Sequence, residues 1–417
     1  MEQQGRRGTE GLVWPSNDFT QTPYEVFLDP KIFDEEQEKI FRGPTWNFLG
    51  LECELKDRGD FFTCYVGTTP VVVSRGLDDK LHAFVNRCTH RGGPIVRELR
   101  GNAKSHTCIY HQWSYSSEGA LVGVPFQRGQ KGQCGYPDDF KKEDHNPQQM
   151  RVEVHSGVIF GTFSRTVEPL LEYLGPTIAN RIALICNRPL KVIGYQRHVV
   201  RANWKLFCEN TRDGYHGPLL HSFTAWGIFQ ASQKGMIETD ETGRHSLISA
   251  YVTESKGPKP ALEHAPRFQL EDTAMVEVFP ELPNGLANSV ISIFPSTLFT
   301  VVNTLSVRQI RPKAPDRYEL VYTYFAYEDD DEETLARRRK QQNLWGPCGY
   351  VAVEDTEVVE QMQQRLATDG SASILEMGGR GHNSADQLLT EATVRSFWRG
   401  YCNMMGIPAA EAAVAAE

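Results

Sequence analysis

The sequence predicts an α+β chain in which two antiparallel sheets of unequal size are separated and flanked by helices. Three observations carry that expectation. Between Trp46 and Phe163, short runs rich in Val, Phe, Tyr and Trp alternate with Gly or Asp turns, the pattern of a small antiparallel β domain. Strand-like runs return between Ala274 and Tyr327. Helical spacing of apolar residues dominates the stretch from Thr356 to Met405. At 417 residues the chain is long enough for two cores. We therefore expect a β domain at 44–163 set into a larger domain formed by 1–43 and 164–417.

Taken in order, the first 20 residues form a polar lead-in. Asp29-Pro30 then reads as an N-cap followed by proline at the first helical position. Ile32, Phe33, Ile40 and Phe41 stripe that helix, which is expected to stop near Gly43. Strands are expected next at Trp46–Leu51, Phe61–Val66, Pro70–Ser74 and Leu81–Arg87. Hairpins are expected over Trp113–Leu121, turning at Ser117-Glu118-Gly119, and over Met150–Phe163, turning at Ser156-Gly157. The polar, Gly-rich stretch from Gln127 to Asn146 reads as a surface loop. Leu170–Ile185 is read as a helix, Lys191–Arg201 as a strand and Trp204–His216 as a helix. Gly227–Ala265, rich in Lys, Glu, Gly and Ser, is expected to be a mobile cover. Strands are expected at Ala274–Phe279, Ser289–Phe294, Leu298–Arg311 and Arg317–Tyr327. Asp331–Leu344 reads as a charged helix with a solvated face. Amphipathic helices are expected at Thr356–Leu366 and Asp386–Met405, with a disordered Ala-rich tail after Pro408.

Composition narrows the function. With 40% apolar and 23% charged residues, wholesale disorder is excluded. A net charge of -9 argues against a nucleic-acid binder. No apolar run reaches membrane-spanning length, and Met1 to Glu10 lacks the apolar core of a secretory signal. The nine cysteines show no dense disulfide spacing, which suits reduced thiols in a cytoplasm.

Two of those cysteines belong to the most informative stretch, Cys88-Thr89-His90 and Cys108-Ile109-Tyr110-His111. Each arm offers one thiolate and one imidazole. A Rieske [2Fe–2S] cluster places two Cys on one iron and two His on the other, so mixed arms suit it. Structural zinc sites usually keep like ligands together. Gly92-Gly93-Pro94 allows a tight turn, and Trp113 and Tyr115 are placed to shield a cluster.

A second metal site is expected around His216 and His221. Residues five apart do not converge on a regular helix, but Gly217-Pro218 breaks the helix between them. Two His and one carboxylate, with other positions left for dioxygen, form the facial triad of non-haem Fe(II) oxygenases. The candidates for the carboxylate are Asp355 and Glu354. From spacing alone, that acidic cluster serves equally well as a helix N-terminal cap. Asp213 is placed to accept from the other ring nitrogen of His216, or else is an exposed helix charge; Asn210 is equally ambiguous. Arg308 on a strand and Arg395 on a helix have apolar neighbours. Each needs a counter-ion, either a substrate carboxylate or an internal Asp or Glu. Gly378-Gly379-Arg380-Gly381 does not open a dinucleotide-binding unit, so electrons must come from partner proteins.

The Cys88/His90 and Cys108/His111 pairs, together with Glu209-Asn210, Asp213, Tyr215-His216 and His221, resemble the Rieske non-haem iron ring-hydroxylating oxygenases, in particular their large α subunit. Ile109-Tyr110-His111-Gln112-Trp113, Gly123-Val124-Pro125-Phe126, Asn210-Thr211-Arg212-Asp213 and Glu376-Met377-Gly378-Gly379 are similar to the aromatic-acid group acting on anthranilate, salicylate or terephthalate. The resemblance implies a Rieske domain inserted in a helix-grip (START-like) catalytic domain, whose large antiparallel sheet is flanked by helices. It implies a [2Fe–2S] cluster, and mononuclear Fe(II) on His216, His221 and Asp355. It implies that Asp213 bridges His216 to His111 of the partner subunit, and that Arg308 and Arg395 match carboxylate-holding arginines. It also implies an α trimer, usually with small β subunits, fed from NAD(P)H through a reductase and ferredoxin.

Overall fold

The computed structural model describes residues 8–226, 234–251, 271–279, 281–368 and 371–410. The chain divides into two units, 41–173 and 1–40 with 174–417.

The 41–173 unit contains three small antiparallel sheets. Leu81–Val85, Thr69–Arg75, Asp60–Val66 and Arg100–Asn102 form one; Arg151–His155, Val158–Thr162 and Asn47–Leu51 form another; Ser105–Thr107, Ser114–Ser116 and Leu121–Gly123 form the third. Both predicted hairpins are present. The strands at 100–107 are additional to those expected, because Arg-Gly-Asn and Ser-His-Thr have no apolar alternation to reveal them. Phe61, Val72, Phe84, Ile95, Trp113, Tyr115 and Leu121 make the core, and Cys88 and Cys108 are part of it. From the loop at 127–146, Tyr136 and Phe140 pack down onto that core, although most of its other residues are exposed.

The larger unit is built on a seven-stranded antiparallel sheet. Its order is Leu190–Val200, Arg317–Tyr327, Leu305–Ala314, Thr297–Val301, Leu286–Ile293, His245–Tyr251 and Gly235–Thr239. Alternation along each strand divides its residues between two faces. On one face Arg181, from helix Leu170–Ile185, donates to the Ser249 and Ser289 hydroxyls, 3.0 and 2.8 Å away. The opposite face carries Val290, Leu298, Thr300 and Arg308, and with it the candidate site.

Several expectations are corrected by this architecture. The single strand expected at Leu298–Arg311 is a hairpin, Thr297–Val301 and Leu305–Ala314. Ala274–Phe279 contains a short 3-10 turn at Thr273–Met275 in place of a strand. Within the expected cover at 227–265, residues 234–251 hold two paired strands, and the remainder lies outside the described residues. So does the end of the expected tail, 411–417. Helix Glu332–Trp345 is not simply solvated: Arg338 on it is 1% exposed and pairs with Glu281 and Asp330 at 2.6 and 2.7 Å. The last helix is Ala392–Met405, so Leu388 precedes it.

At the N-terminal side, Asp29 caps helix Pro30–Glu36 by accepting from the Lys31 amide. Glu36, at its end, is fully buried. It accepts from Lys205 Nζ at 2.6 Å, Tyr401 Oη at 2.7 Å and Trp204 Nε1 at 2.7 Å. A buried charge pair is tolerated only when its remaining polar atoms are satisfied, and these three donors satisfy the carboxylate. They tie the N-terminal helix, helix Trp204–Asn210 and helix Ala392–Met405 together around the root of the site.

Candidate metal centres

The two Cys–His arms fold into matching loops. Cys88 N donates to Gly93 O and Gly92 N to Cys88 O; likewise Cys108 N donates to Trp113 O and Gln112 N to Cys108 O. In both loops the fourth residue after the cysteine has positive φ, 77° at Gly92 and 57° at Gln112. Glycine adopts that conformation freely, whereas at Gln112 the loop imposes it. The result is two buried thiols with two half-buried imidazoles outside them. The His90 and His111 rings lie 4.4 Å apart, and Trp113 stacks on His90 at 4.9 Å. Tyr115 is fully buried, with its hydroxyl 3.1 Å from Cys88 Sγ and accepting from the Thr89 amide at 3.2 Å. Burial pushes the Cys108 thiol upward, and Cys88 beside it adds to that. His90 Nδ1 is buried and has no hydrogen-bond partner. An orphaned imidazole nitrogen beside two buried thiols is explained by metal ligation, so this donor set fits a two-iron, two-Cys, two-His cluster.

The second centre is assembled from distant segments. Asn203 caps helix Trp204–Asn210 through the Lys205 amide, and the helix ends at Asn210, short of the predicted His216. Beyond it the chain turns sharply. Asp213 accepts from the Tyr215 amide at 2.7 Å, a local turn that competes with helix. Gly214 lies so close to the Leu388 carbonyl that a Cβ would clash. His216 and His221 then bracket a one-turn helix, Gly217–Leu220, with Pro218 inside its start. This break is what brings the rings to 5.3 Å. Asp213 consequently reaches His216 through a turn and not as a helical neighbour; His216 Nδ1 donates to Asp213 Oδ2 at 3.2 Å.

Asp355 completes the group. Its helix opens at Tyr350, so Glu354 and Asp355 lie within the helix and do not cap it, correcting that alternative. Asp355 Oδ1 lies 3.5 Å from both His216 Nε2 and His221 Nε2, and the three ligand atoms fall within 4.8 Å of one another. Glu354 faces elsewhere: it accepts from His221 Nδ1 at 3.0 Å and from the Ser222 amide at 3.1 Å. Spacing offers it only as an alternative ligand and carries no signal of its part as the His221 partner. Each His thus turns Nδ1 to a carboxylate and Nε2 to a common point, an arrangement that fixes tautomer and ring orientation. Asn210 Nδ2 donates to Asp355 Oδ1 at 3.0 Å. Burial alone would raise the Asp355 carboxyl, but His216 and His221 hold it below the usual range. Burial likewise opposes charge on His216, yet Asp213 and Asp355 push its pKa up to about 10. Such a ligand set, two neutral-capable imidazoles and one carboxylate on one side, fits a mononuclear iron with open positions.

The two arginines separate. Arg308 is 5% exposed and lines the cavity that the three donors border. Its Nη2 donates to Trp345 O at 3.2 Å, its guanidinium lies 5.0 Å from the Tyr322 ring centre, and Nε has no partner. Among the described residues no carboxylate pairs with it, so the internal counter-ion expected as one alternative is not found. Arg395 does not line that cavity. It is fully buried and donates to the Gly381, Leu375 and Met377 carbonyls at 2.7, 2.7 and 3.3 Å. Through Nε and Nη1 the guanidinium clamps a loop, and Nη2 is buried without a hydrogen-bond partner, so the structure places Arg395 away from the cavity that Arg308 lines.

Two Cys–His loops in a small β unit, together with a His–His–Asp triad beside a cavity walled by the seven-stranded sheet, define a Rieske-type oxygenase. Comparison agrees: the family described as the ring hydroxylating alpha subunit catalytic domain matches residues 188–406, and the Rieske [2Fe-2S] domain matches 45–134. The anthranilate 1,2-dioxygenase large subunit of Burkholderia cepacia is 43% identical over 96% of this chain and 97% of its own. The terephthalate 1,2-dioxygenase terminal oxygenase alpha subunit of Comamonas sp is 39% identical over 95% and 98%. Naphthalene 1,2-dioxygenase from Rhodococcus sp. has the same fold, with a TM-score of 0.78 at 25% identity over 92% of this chain and 94% of its own. The chain belongs to the Rieske ring-hydroxylating oxygenase α-subunit family, and its cofactors are a [2Fe–2S] cluster and a mononuclear iron.

Proposed function

We propose that the chain is the terminal oxygenase α subunit that dihydroxylates the ring of an aromatic carboxylate of the anthranilate or salicylate type. The observation that carries the substrate class is Arg308: a buried cation on the wall of the candidate iron cavity, without a carboxylate among the described residues. Unlike Arg395, which three backbone carbonyls engage, Arg308 has one backbone carbonyl as hydrogen-bond acceptor, and a substrate carboxylate accepting two parallel hydrogen bonds would complete it.

When bound, the cluster supplies one-electron transfer and the iron supplies dioxygen activation. The chain's own residues do the positioning. His216, His221 and Asp355 would hold the iron, with Asp213 and Glu354 orienting the two imidazoles and Asn210 orienting Asp355. Cys88, His90, Cys108 and His111 would hold the cluster. Arg308 would fix which ring carbons face the iron. With 2-aminobenzoate, addition of dioxygen, two electrons and two protons gives a cis-diol, which releases carbon dioxide and ammonia to leave a catechol.

The same reading covers the cell biology. Residues 44–163 would form the cluster domain, and 1–43 with 164–417 the catalytic domain. Electrons would come from NAD(P)H through a reductase and ferredoxin in the cytoplasm. The assembly would be an α trimer, with or without β subunits, in which Asp213 reaches His111 of the partner subunit. No helix among the described residues is long and apolar enough to cross a membrane.

The test is a panel of benzoates with labelled dioxygen, run with wild type and Arg308→Gln. Loss of a charge-assisted pair worth about 1.5–3 kcal/mol per hydrogen bond should raise KM for the acids at least tenfold. A neutral ring analogue should be little affected; an equal effect on both would make Arg308 structural. Conversion of 2-hydroxybenzoate to a ring-hydroxylated acid that keeps its carboxylate would identify the salicylate hydroxylase alternative.

A further inference from the structure

We infer that Asn288 and Thr300 determine specificity by reading a hydrogen-bond-donating substituent, an amine or a hydroxyl, on the ring whose carboxylate Arg308 holds. This deepens the aromatic-acid reading and rests on it.

Three facts support it. First, Asn288, Thr300 and Arg308 share one face of three successive strands. Leu298 is opposite Arg308, Thr300 is opposite Val290, and Asn288 is two residues before Val290. The three side chains therefore run diagonally across the sheet, with neighbours about 7–8 Å apart along the row. All three line the cavity bordered by His216, His221 and Asp355. Second, Asn288 Oδ1, Thr300 Oγ1 and Arg308 Nε are all buried without a hydrogen-bond partner. Buried polar atoms are rarely left unpaired, and three on one cavity wall point to a polar ligand that completes them. Third, the chemistry of the row is graded, with a cation at one end and a neutral amide at the other. The surrounding lining from Ile248, Val290 and Leu298 is apolar, as a ring requires.

That grading selects among acids. Of the described lining residues, Arg308 is the only arginine or lysine. A second carboxylate on the ring would face the neutral Asn288 and Thr300 with no cation to balance it, which is costly in a buried site. An amine or hydroxyl instead donates to Asn288 Oδ1, while the Thr300 hydroxyl can donate or accept. The cavity, about 130 Å³, is close to the roughly 150 Å³ that accepts one benzene ring. The ligand class is thus a single-ring monocarboxylate with an amino or hydroxyl group.

The experiment uses the intact oxygenase with a reductase and ferredoxin that support it. It also measures anaerobic binding by calorimetry, which does not depend on turnover. The probes are 2-aminobenzoate, 2-hydroxybenzoate, benzoate and terephthalate. Wild type should bind and turn over the amino or hydroxy acid better than benzoate. In Asn288→Leu that preference should fall by about tenfold in both affinity and kcat/KM, while benzoate changes by no more than about twofold. Thr300→Val, which keeps strand shape, should move in the same direction by a smaller factor and serves if Asn288→Leu does not fold. Equal loss on all acids, or terephthalate as the best ligand of wild type, overturns the inference while leaving the aromatic-acid reading in place. Binding of neutral arenes with no binding of any acid overturns both.

Discussion

The two metal centres are built by opposite strategies. The cluster site is local: its four candidate ligands lie within Cys88–His111, in two loops with the same hydrogen bonds. The iron site is global: Asn210 meets Asp355 across 145 positions and His221 meets Glu354 across 133. A further wall comes from sheet strands, with Ile248 and Ala250 on one and residues between Asn288 and Arg308 on others. The difference is rooted in the chemistry. A cluster needs a rigid, shielded cradle, which two tight loops in an apolar core provide. An oxygenase centre needs ligands on one side and substrate space on the other, so its sides must come from different elements.

The largest expected effect tests that separation. His221→Ala removes one of the three donors that converge among the described residues, and Glu354 beside it is engaged with Ser222 as well as His221. Metal analysis should show the mononuclear iron gone and turnover lost, while the visible cluster spectrum is unchanged. Loss of the cluster spectrum along with the mononuclear iron would mean that the sites are not independent. Asp213→Asn comes next. An amide has one acceptor oxygen, and the Tyr215 amide and His216 Nδ1 both need one. Both metals should remain, but turnover should fall roughly 100-fold. A reduced cluster should persist when substrate and dioxygen are added; reoxidation at the wild-type rate would make Asp213 a simple turn residue.

The same contrast explains what was legible in the sequence. Two Cys–His arms announce themselves by spacing, because their geometry is local. His216 and His221 were legible as a pair only through the helix break at Gly217-Pro218, yet the break begins earlier, at the Asp213 turn. Asp355 and Glu354 are adjacent, and which one faces the iron depends on where their helix starts. The sequence leads to a helix expected from Thr356, whereas the helix begins at Tyr350 and carries both carboxylates inside it. Arg308 and Arg395 look equivalent from their neighbours. Only tertiary structure shows one facing a cavity and the other three carbonyls. Asn288 and Thr300 carry a weak signal, polar residues in phase with Arg308 on neighbouring strands, that becomes readable only once the strand register is known.

The smallest expected effect belongs to Tyr115 and sharpens the local half of the comparison. Its hydroxyl is 3.1 Å from Cys88 Sγ, inside a core that excludes water, and it also accepts from the Thr89 amide. A cluster gains negative charge on reduction, so a hydroxyl donating to a ligand sulfur stabilises the reduced form more than the oxidised one. Tyr115→Phe keeps the ring and its packing but removes that donor. If the bond contributes the usual 0.5–1.5 kcal/mol, the one-electron potential should drop by roughly 20–60 mV, at 59 mV per tenfold change in equilibrium constant. Iron content, the binding of aromatic acids and the thermal midpoint should change little, because Tyr115 belongs to the cluster unit. Redox titration followed by circular dichroism or EPR measures the shift. An unchanged potential would mean that the hydroxyl serves Thr89 alone, and that the cradle's two loops set the cluster's chemistry without help from the strand beneath them.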